Sequence, residues 1–357
     1  MTQPYNTGPS HPLGLPMKLL IVGSDRIYAI ENFYRMHLAA LGVSVSLFPA
    51  QSVFYDYYQH GMLHKIAFRL GVSGILKKIN ETFKQEVVSF RPQFIWVFKG
   101  MELYPESLAW AKKQGIKLIN FNGDSPFLFS GSGSGNINVT RSTGLYDLHF
   151  TYDRDVKKEM ERRFAIPTVI LPFGFHISEQ TFAECCEEAE VKRVCFLGNP
   201  DVYRGKFIQQ LAENNIALDL YGNEWDKYVK HPSINIFKPV YAPESWKVLR
   251  RYRVQLNLMR PHNPNSHNMR TFELGGVGAI QLAPATEDHL TAFQPEEEIF
   301  LFHDLTGCIQ QIRKILALPE TTANQIRSRA RERSIRSCYS YQCRSREVLA
   351  AIHEHLG

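Results

Sequence analysis

Arg270 and Glu273 stand three residues apart in "SHNMRTFELGGVGAIQLAP" (266–284), just ahead of Gly275, Gly276 and Gly278. On a helix that spacing puts both side chains on one face, in or near the first turn. There the unpaired backbone N–H groups and the positive dipole end favour anions. The Arg fork suits phosphate oxygens, and a Glu carboxylate accepts hydrogen bonds from a diol such as ribose. A solvent-facing ion pair on a glycine-tolerant helix is the other reading of the same residues. Each glycine costs the helix about 1 kcal/mol relative to Ala, which points to close backbone approach. Asp124, in "INFNGDSPF" (119–127), directly follows an apolar run. A carboxylate at a strand's carboxyl end can serve as general base towards an acceptor hydroxyl. Gly-Asp-Ser-Pro is equally a plain turn.

The elements that would hold these residues are visible as a rhythm. "KLLIVG" (18–23), "VSVSLFP" (43–49), "FIWVFKG" (94–100), "KLINFN" (117–122) and "LHFTY" (148–152) are strand-like and alternate with amphipathic segments. The pattern restarts with "RVCFLGN" (193–199), "ALDLYG" (217–222), "SINIFKP" (233–239), "VQLNLM" (254–259), "AIQLA" and "IFLF" (299–302). Such alternation predicts parallel sheets with helices on both faces. The expected architecture is α/β, with two Rossmann-like halves whose strand ends border a ligand cleft. Residues 1–16 are expected as a flexible leader, 17–176 as the first domain and 177–190 as an acidic linker. Residues 191–333 are expected as the second domain, and 334–357 as a C-terminal helix returning to the first. In the quoted stretch Ser266 or Asn268 can cap a helix ending near Val277, with Gly278 just past its end. "SGSGSGN" (130–136) is expected as a flexible loop.

Composition excludes several classes. At 357 residues, 44% hydrophobic and 21% charged, the chain is an ordinary globular one and long enough for two cores. No apolar run approaches the ~20 residues that span a bilayer, and the N-terminus lacks signal-peptide organisation. Six cysteines show no CxxC or metal-ligand spacing, so reduced cytosolic thiols are expected. The net charge of +6 is concentrated in "RSRARERSIRSCYSYQCRSR" (327–346), a solvated face or a weak contact for anionic membrane; no nucleic-acid motif accompanies it. HExxH, G-x-S-x-G, the P-loop and G-x-G-x-x-G are absent.

"MRTFELGGVGAIQLAP" resembles the donor-site helix of GT-B glycosyltransferases, particularly the CgeB-like (spore maturation protein-like) group, with its R-x-F-E followed by glycine. The resemblance spans about residues 17–350. It implies that Arg270 holds donor phosphate and Glu273 donor ribose, as the second Glu of an E-x7-E motif. Asn265 stands where the first Glu would be, which leaves retention or inversion open. "FLGNPDVYRGKF" (196–207) is similar to the G-R-x4-K-G turn that meets the donor diphosphate, with Gly198 in the glycine place, Asn199 for Arg and Arg204-Gly205 for Lys-Gly. "LDLYGNEW" (218–225) resembles the base-contacting strand end, with Tyr221 and Gly222. In "LNLMRPHNPNSHN" (256–268), Asn265, His267 and Asn268 are candidate sugar or phosphate donors, or plain loop polarity. Gly23, with Ser24 and Asp25, lies where the family brings a glycine loop near the diphosphate. His176 is expected as a packed or hinge residue.

The expected activity is transfer of a sugar from a nucleotide-diphosphate donor to an acceptor hydroxyl, with Asp124 as base. No metal or cofactor is required, because cations and helix N-termini would neutralise the leaving diphosphate. A GT-B-like nucleotide-sugar epimerase and a non-catalytic nucleotide-sugar-binding protein are the alternatives. The expected location is cytoplasmic, with weak peripheral association at the inner face of the membrane.

Overall fold

In the computed structural model, residues 17–70, 72–127, 136–259 and 266–357 are described. The leader, most of the "SGSGSGN" loop, and Asn265 lie outside them.

The chain opens with β1 (Lys18–Val22), α1 (Ile30–Ala40) and β2 (Ser44–Phe48), then α2 (Ala50–Gln59), α3 (Met62–Arg69) and α4 (Ile75–Phe90). Then come β3 (Phe94–Phe98), α5 (Pro105–Lys113), β4 (Lys117–Phe121), α6 (Ile137–Ser142), β5 (Leu148–Thr151), α7 (Arg154–Phe164) and β6 (Thr168–Ile170). The six strands form one sheet in the order β2-β1-β3-β4-β5-β6. β1 is parallel to both β2 and β3, as the alternating pattern demands.

α8 (Glu179–Glu187) occupies most of the acidic stretch and is capped by Ser178, whose Oγ accepts from Thr181 N–H at 3.0 Å. The second sheet is built from β7 (Val191–Leu197), α9 (Val202–Glu213), β8 (Leu218–Tyr221), β9 (Ile234–Phe237), α10 (Glu244–Arg251) and β10 (Tyr252–Leu256). It is completed by α11 (Met269–Val277), β11 (Gln281–Pro284), α12 (Glu287–Ala292), β12 (Phe300–Phe302) and α13 (Leu305–Leu316). Its order is β12-β11-β10-β7-β8-β9, with every characterised pair parallel. β7 and β10 sit centrally, so their carboxyl ends are flanked by strands on both sides. Each sheet has its own core. Phe83, Ile95, Val97 and Leu118 are fully or almost fully buried in the first. Val194, Leu218, Val254, Leu282 and Ile312 are buried in the second.

The chain divides into two compact units. One runs to Phe121 and includes Ile137–Asp147; the other takes the described residues of 122–136 and of 148–357.

The expected C-terminal helix is present as α15 (Tyr341–Leu356), against β5 of the first sheet, but it starts later than residue 334, which still belongs to α14 (Glu320–Arg336). Cys338, in the turn between them, forms a disulfide with Cys343 in the first turn of α15. The expectation of six reduced thiols is therefore corrected for this pair; Cys185, Cys186, Cys195 and Cys308 are free. The two cysteines are five positions apart in sequence, and the turn between α14 and α15 brings their Cα atoms to 5.6 Å, within disulfide range.

Candidate functional site

α11 begins where β10 and β11 end, at the centre of the second sheet. Asn268 is its cap: the side-chain oxygen accepts from Thr271 N–H at 3.2 Å, and the Thr271 hydroxyl reaches back to Asn268 N–H. The Asn268 amide also donates to Asn257 Oδ1 at 2.7 Å, pinning the helix start to the residue after β10. That side chain is committed to the fold.

Arg270 and Glu273 face each other across the first turn, Nη1 to Oε2 at 2.6 Å. Their side chains are 25% and 17% exposed, so the pair stays within reach of a ligand. Both residues lie where the sequence places them.

The glycines serve a different purpose from the one expected. A Cβ on Gly275 would lie 2.5 Å from Ser334 Oγ of α14 and 2.6 Å from the Phe293 ring. A Cβ on Gly276 would collide with the Phe175 ring. Gly278 takes φ +66° at the helix end, in the left-handed region that L side chains avoid, and faces the Arg327 carbonyl. Close backbone approach is real at all three positions, but protein supplies it. The glycines seat α11 on α14 and on the segment after β6.

The turn after β7 is similarly knitted. Gly222 touches the Gly198 carbonyl so closely that any side chain would clash, and Trp225 Nε1 donates to that same carbonyl at 2.9 Å. Asn199 Oδ1 accepts from Asn223 N–H at 3.1 Å. Arg204 is buried rather than presented: Nη2 donates to Leu258 O at 2.8 Å, Nη1 to Asn199 O at 3.2 Å. It ties the β7–α9 turn to the chain leaving β10. Tyr221 is also buried, stacked on Phe237, with its hydroxyl shared with Tyr252 and Arg251. Its expected base contact gives way to a core network that includes Asp219.

His267 is buried, with Nδ1 2.7 Å from Asp288 Oδ2 and Nε2 accepting from Phe173 N–H at 3.4 Å. This assigns the Nδ1–H tautomer. Burial holds its pKa below the usual histidine value in spite of Asp288. Both ring nitrogens are therefore engaged by protein. Asp288, which also accepts from the Ser266 hydroxyl at 3.0 Å, carried no sequence signal. His176 is partly buried, and its pKa is lowered by that burial.

In the first unit, Gly23 closes β1, and any side chain there would collide with the Glu31 carboxylate. Glu31 Oε1 accepts from Ser24 N–H at 2.9 Å. Burial raises its pKa to about 6. Glu102, buried in the loop after β3, is pushed to about 7, again mainly by burial, with a smaller upward push from Glu31. Sequence reasoning missed both acids, since only burial sets them apart. Asp124, in the second unit, is partly exposed, and its N–H donates to Asn122 Oδ1 at 3.0 Å. The chain bends at Gly123 and Asp124.

Among the described residues no group of three His, Cys, Asp or Glu side chains is placed to hold a metal ion. Among them, too, no helix is long and apolar enough to cross a membrane.

Comparison with known proteins adds to this geometry. Residues 204–350, two fifths of the chain and including all of α11, match a family model described as glycosyl transferase-like. No curated protein matches the chain. Among solved structures, sucrose-phosphate synthase from Thermosynechococcus elongatus superposes with TM-score 0.67 at 15% identity, over 95% of this chain and 98% of that one. A glycosyltransferase from Rickettsia africae gives 0.65 at 12%, over 96% and 99%. Anabaena HepE, solved in complex with UDP, gives 0.62 at 12%, over 95% and 100%. Two parallel six-stranded sheets, in a chain matched over 95% of its length by such structures, give this chain the GT-B fold, with a glycosyl transferase-like region at 204–350.

Proposed function

We propose that the protein is a glycosyltransferase moving a sugar from a nucleotide-diphosphate donor to an acceptor hydroxyl, with the donor at the start of α11. The observation carrying this reading is the Arg270–Glu273 pair. Of the candidate polar side chains in the described part of the second sheet's strand ends, Arg204, Tyr221, His267 and Asn268 are bound into the fold. Arg270 and Glu273 hold chiefly each other and remain partly exposed. A partly exposed ion pair is worth about 0–1 kcal/mol, so a ligand can part it cheaply. Arg270 would then turn to diphosphate and Glu273 to ribose hydroxyls. The match of residues 204–350 and the UDP-bound HepE neighbour support the same ligand class.

Catalysis would proceed without a metal, the leaving diphosphate being neutralised by Arg270 and the N-terminus of α11. Asp124 remains the proposed base. The CgeB-like kinship, a cytoplasmic location, and a split into an acceptor domain (17–176) and a donor domain (191–333) belong to the same proposal. Release of nucleoside diphosphate from a panel of nucleotide sugars, with and without hydroxyl acceptors and EDTA, tests it. Acceptor-dependent release that survives EDTA is expected. Acceptor-independent conversion of the sugar would indicate an epimerase, and binding without turnover a non-catalytic protein.

A further inference from the structure

The C-terminal arginines, where sequence places a membrane contact, are largely consumed by the fold. Arg327 donates to Glu190 at 2.7 Å, Arg331 to the Gly276 carbonyl at 2.6 Å and Arg344 to Glu347 at 2.9 Å; all three are buried. Arg333 donates to the Ala292 carbonyl at 2.9 Å.

The first unit presents a different surface. No residue of α3 is buried. Met62 is 73% exposed, Leu63 79%, Leu70 71% and Val72 75%, with Ile66 exposed among them. At 3.6 residues per turn, Met62, Ile66, Leu70 and Leu63 fall within one arc of about 100°. The opposite side of the helix does the packing, Phe68 against Phe54 at 4.9 Å and His64 against Tyr57 at 4.8 Å between ring centroids. The outward apolar arc is therefore additional to what holds α3 in place. Isolated exposed apolar residues need no explanation, but a contiguous set on one helix face does.

Charge indicates what covers it. Residues 57–80 contain Lys65, Arg69, Lys77 and Lys78 and no Asp or Glu. On the helix, Arg69 and then Lys65 border the apolar arc on its Met62 side, and Lys77 and Lys78 are exposed at the start of α4, Lys77 within 4.0 Å of the exposed Glu81. An apolar arc edged by cations fits a lipid interface, with the side chains in the acyl boundary and the cations among anionic head groups.

We infer that the outer face of α3, continued by Val72 and the first turn of α4, docks the protein on an anionic lipid bilayer. The contact would be peripheral and reversible, combining shallow insertion of Met62, Leu63, Ile66 and Leu70 with attraction from the basic residues. The surface uses none of the donor-helix residues, so its failure would leave the transfer proposal standing.

The experiment is flotation of the full chain with phosphatidylcholine vesicles, with and without phosphatidylglycerol. Binding is expected at low salt to the anionic vesicles only, and to weaken as salt rises. L63S/L70S/V72S and K65E/R69E should each lower binding at least about tenfold, the scale set by residues near an anionic surface. Their melting temperatures should stay at the parent value, because the altered side chains are exposed or lie along the surface. Alanine at the exposed Arg336 and Arg346 should leave binding unchanged. No binding at low salt overturns the inference, and so does unaltered binding by both α3 variants. A chain that self-associates through this face, becomes monomeric in L63S/L70S/V72S and ignores vesicles overturns it in favour of a second copy as the occupant.

Discussion

At the scale of single residues, each side chain's other commitments decide what it can do. Arg270 and Arg204 are both arginines at strand ends of one sheet, yet one is partly exposed on a helix and the other is locked onto two carbonyls. Removing Arg270 should therefore weaken nucleoside diphosphate binding by roughly 1.5–3 kcal/mol, the worth of a charge-assisted hydrogen bond, while sparing the bare nucleoside. Arg204→Ala should instead lower the melting temperature, since it strips buried carbonyls of their donor. Calorimetry and thermal denaturation on the two variants separate these roles; equal loss of nucleoside and diphosphate in Arg270→Ala would mean the phosphates lie elsewhere. The buried acids give a pH signature. Folding raises Glu31 from 4.5 to about 6 and Glu102 from 4.5 to about 7. Well below pH 4.5 both are neutral in either state and cost nothing. Above 4.5 the unfolded chain ionises while the buried acids stay protonated, so stability falls as pH rises, until about 6 for Glu31 and about 7 for Glu102, by on the order of 1–3 kcal/mol per group. Glu102→Gln should thus raise the melting temperature at pH 8 and change it far less at pH 4.5. An equal shift at both pH values would assign the effect to packing.

At the scale of elements, α11 was the most legible. Its cap at Asn268, its last residue at Val277 and its Gly278 terminus follow from local rules, and all three are observed. The reason for Gly275 and Gly276 was not legible, because it resides in Ser334, Phe293 and Phe175, distant in sequence. Alanine usually stabilises a helix relative to glycine. Here Gly276→Ala should destabilise the protein by about 1–3 kcal/mol through overpacking against Phe175. Stabilisation would show that the contact relaxes freely. The break between α14 and α15 also escaped sequence reasoning. The arginine-rich run continues across it, the Cys338–Cys343 bridge is local but has no CxxC-like signal, and the Phe175–Ser340 pairing at the turn depends on tertiary approach. Likewise the burial of Arg204 depends on the Leu258 carbonyl, 54 residues away.

At the scale of the molecule, the alternation of apolar runs sufficed for the fold class, since parallel strands buried on both faces write themselves as continuous apolar segments. Chemistry was less legible than architecture. Of the candidates in the second sheet's strand ends, sequence could name residue types but not which would be spent internally. The account therefore converges on one pair in one helix turn. Isothermal titration calorimetry of the intact protein and of Glu273→Ala with UDP, GDP and ADP tests it most directly. At least one diphosphate should bind the parent chain, and that affinity should fall at least about tenfold in the variant, the loss of roughly 1.4 kcal/mol from a missing ribose contact, at an unchanged melting temperature. Unchanged affinity in a folded Glu273→Ala, or no diphosphate bound by the parent, would contradict the assignment of α11 as the donor site.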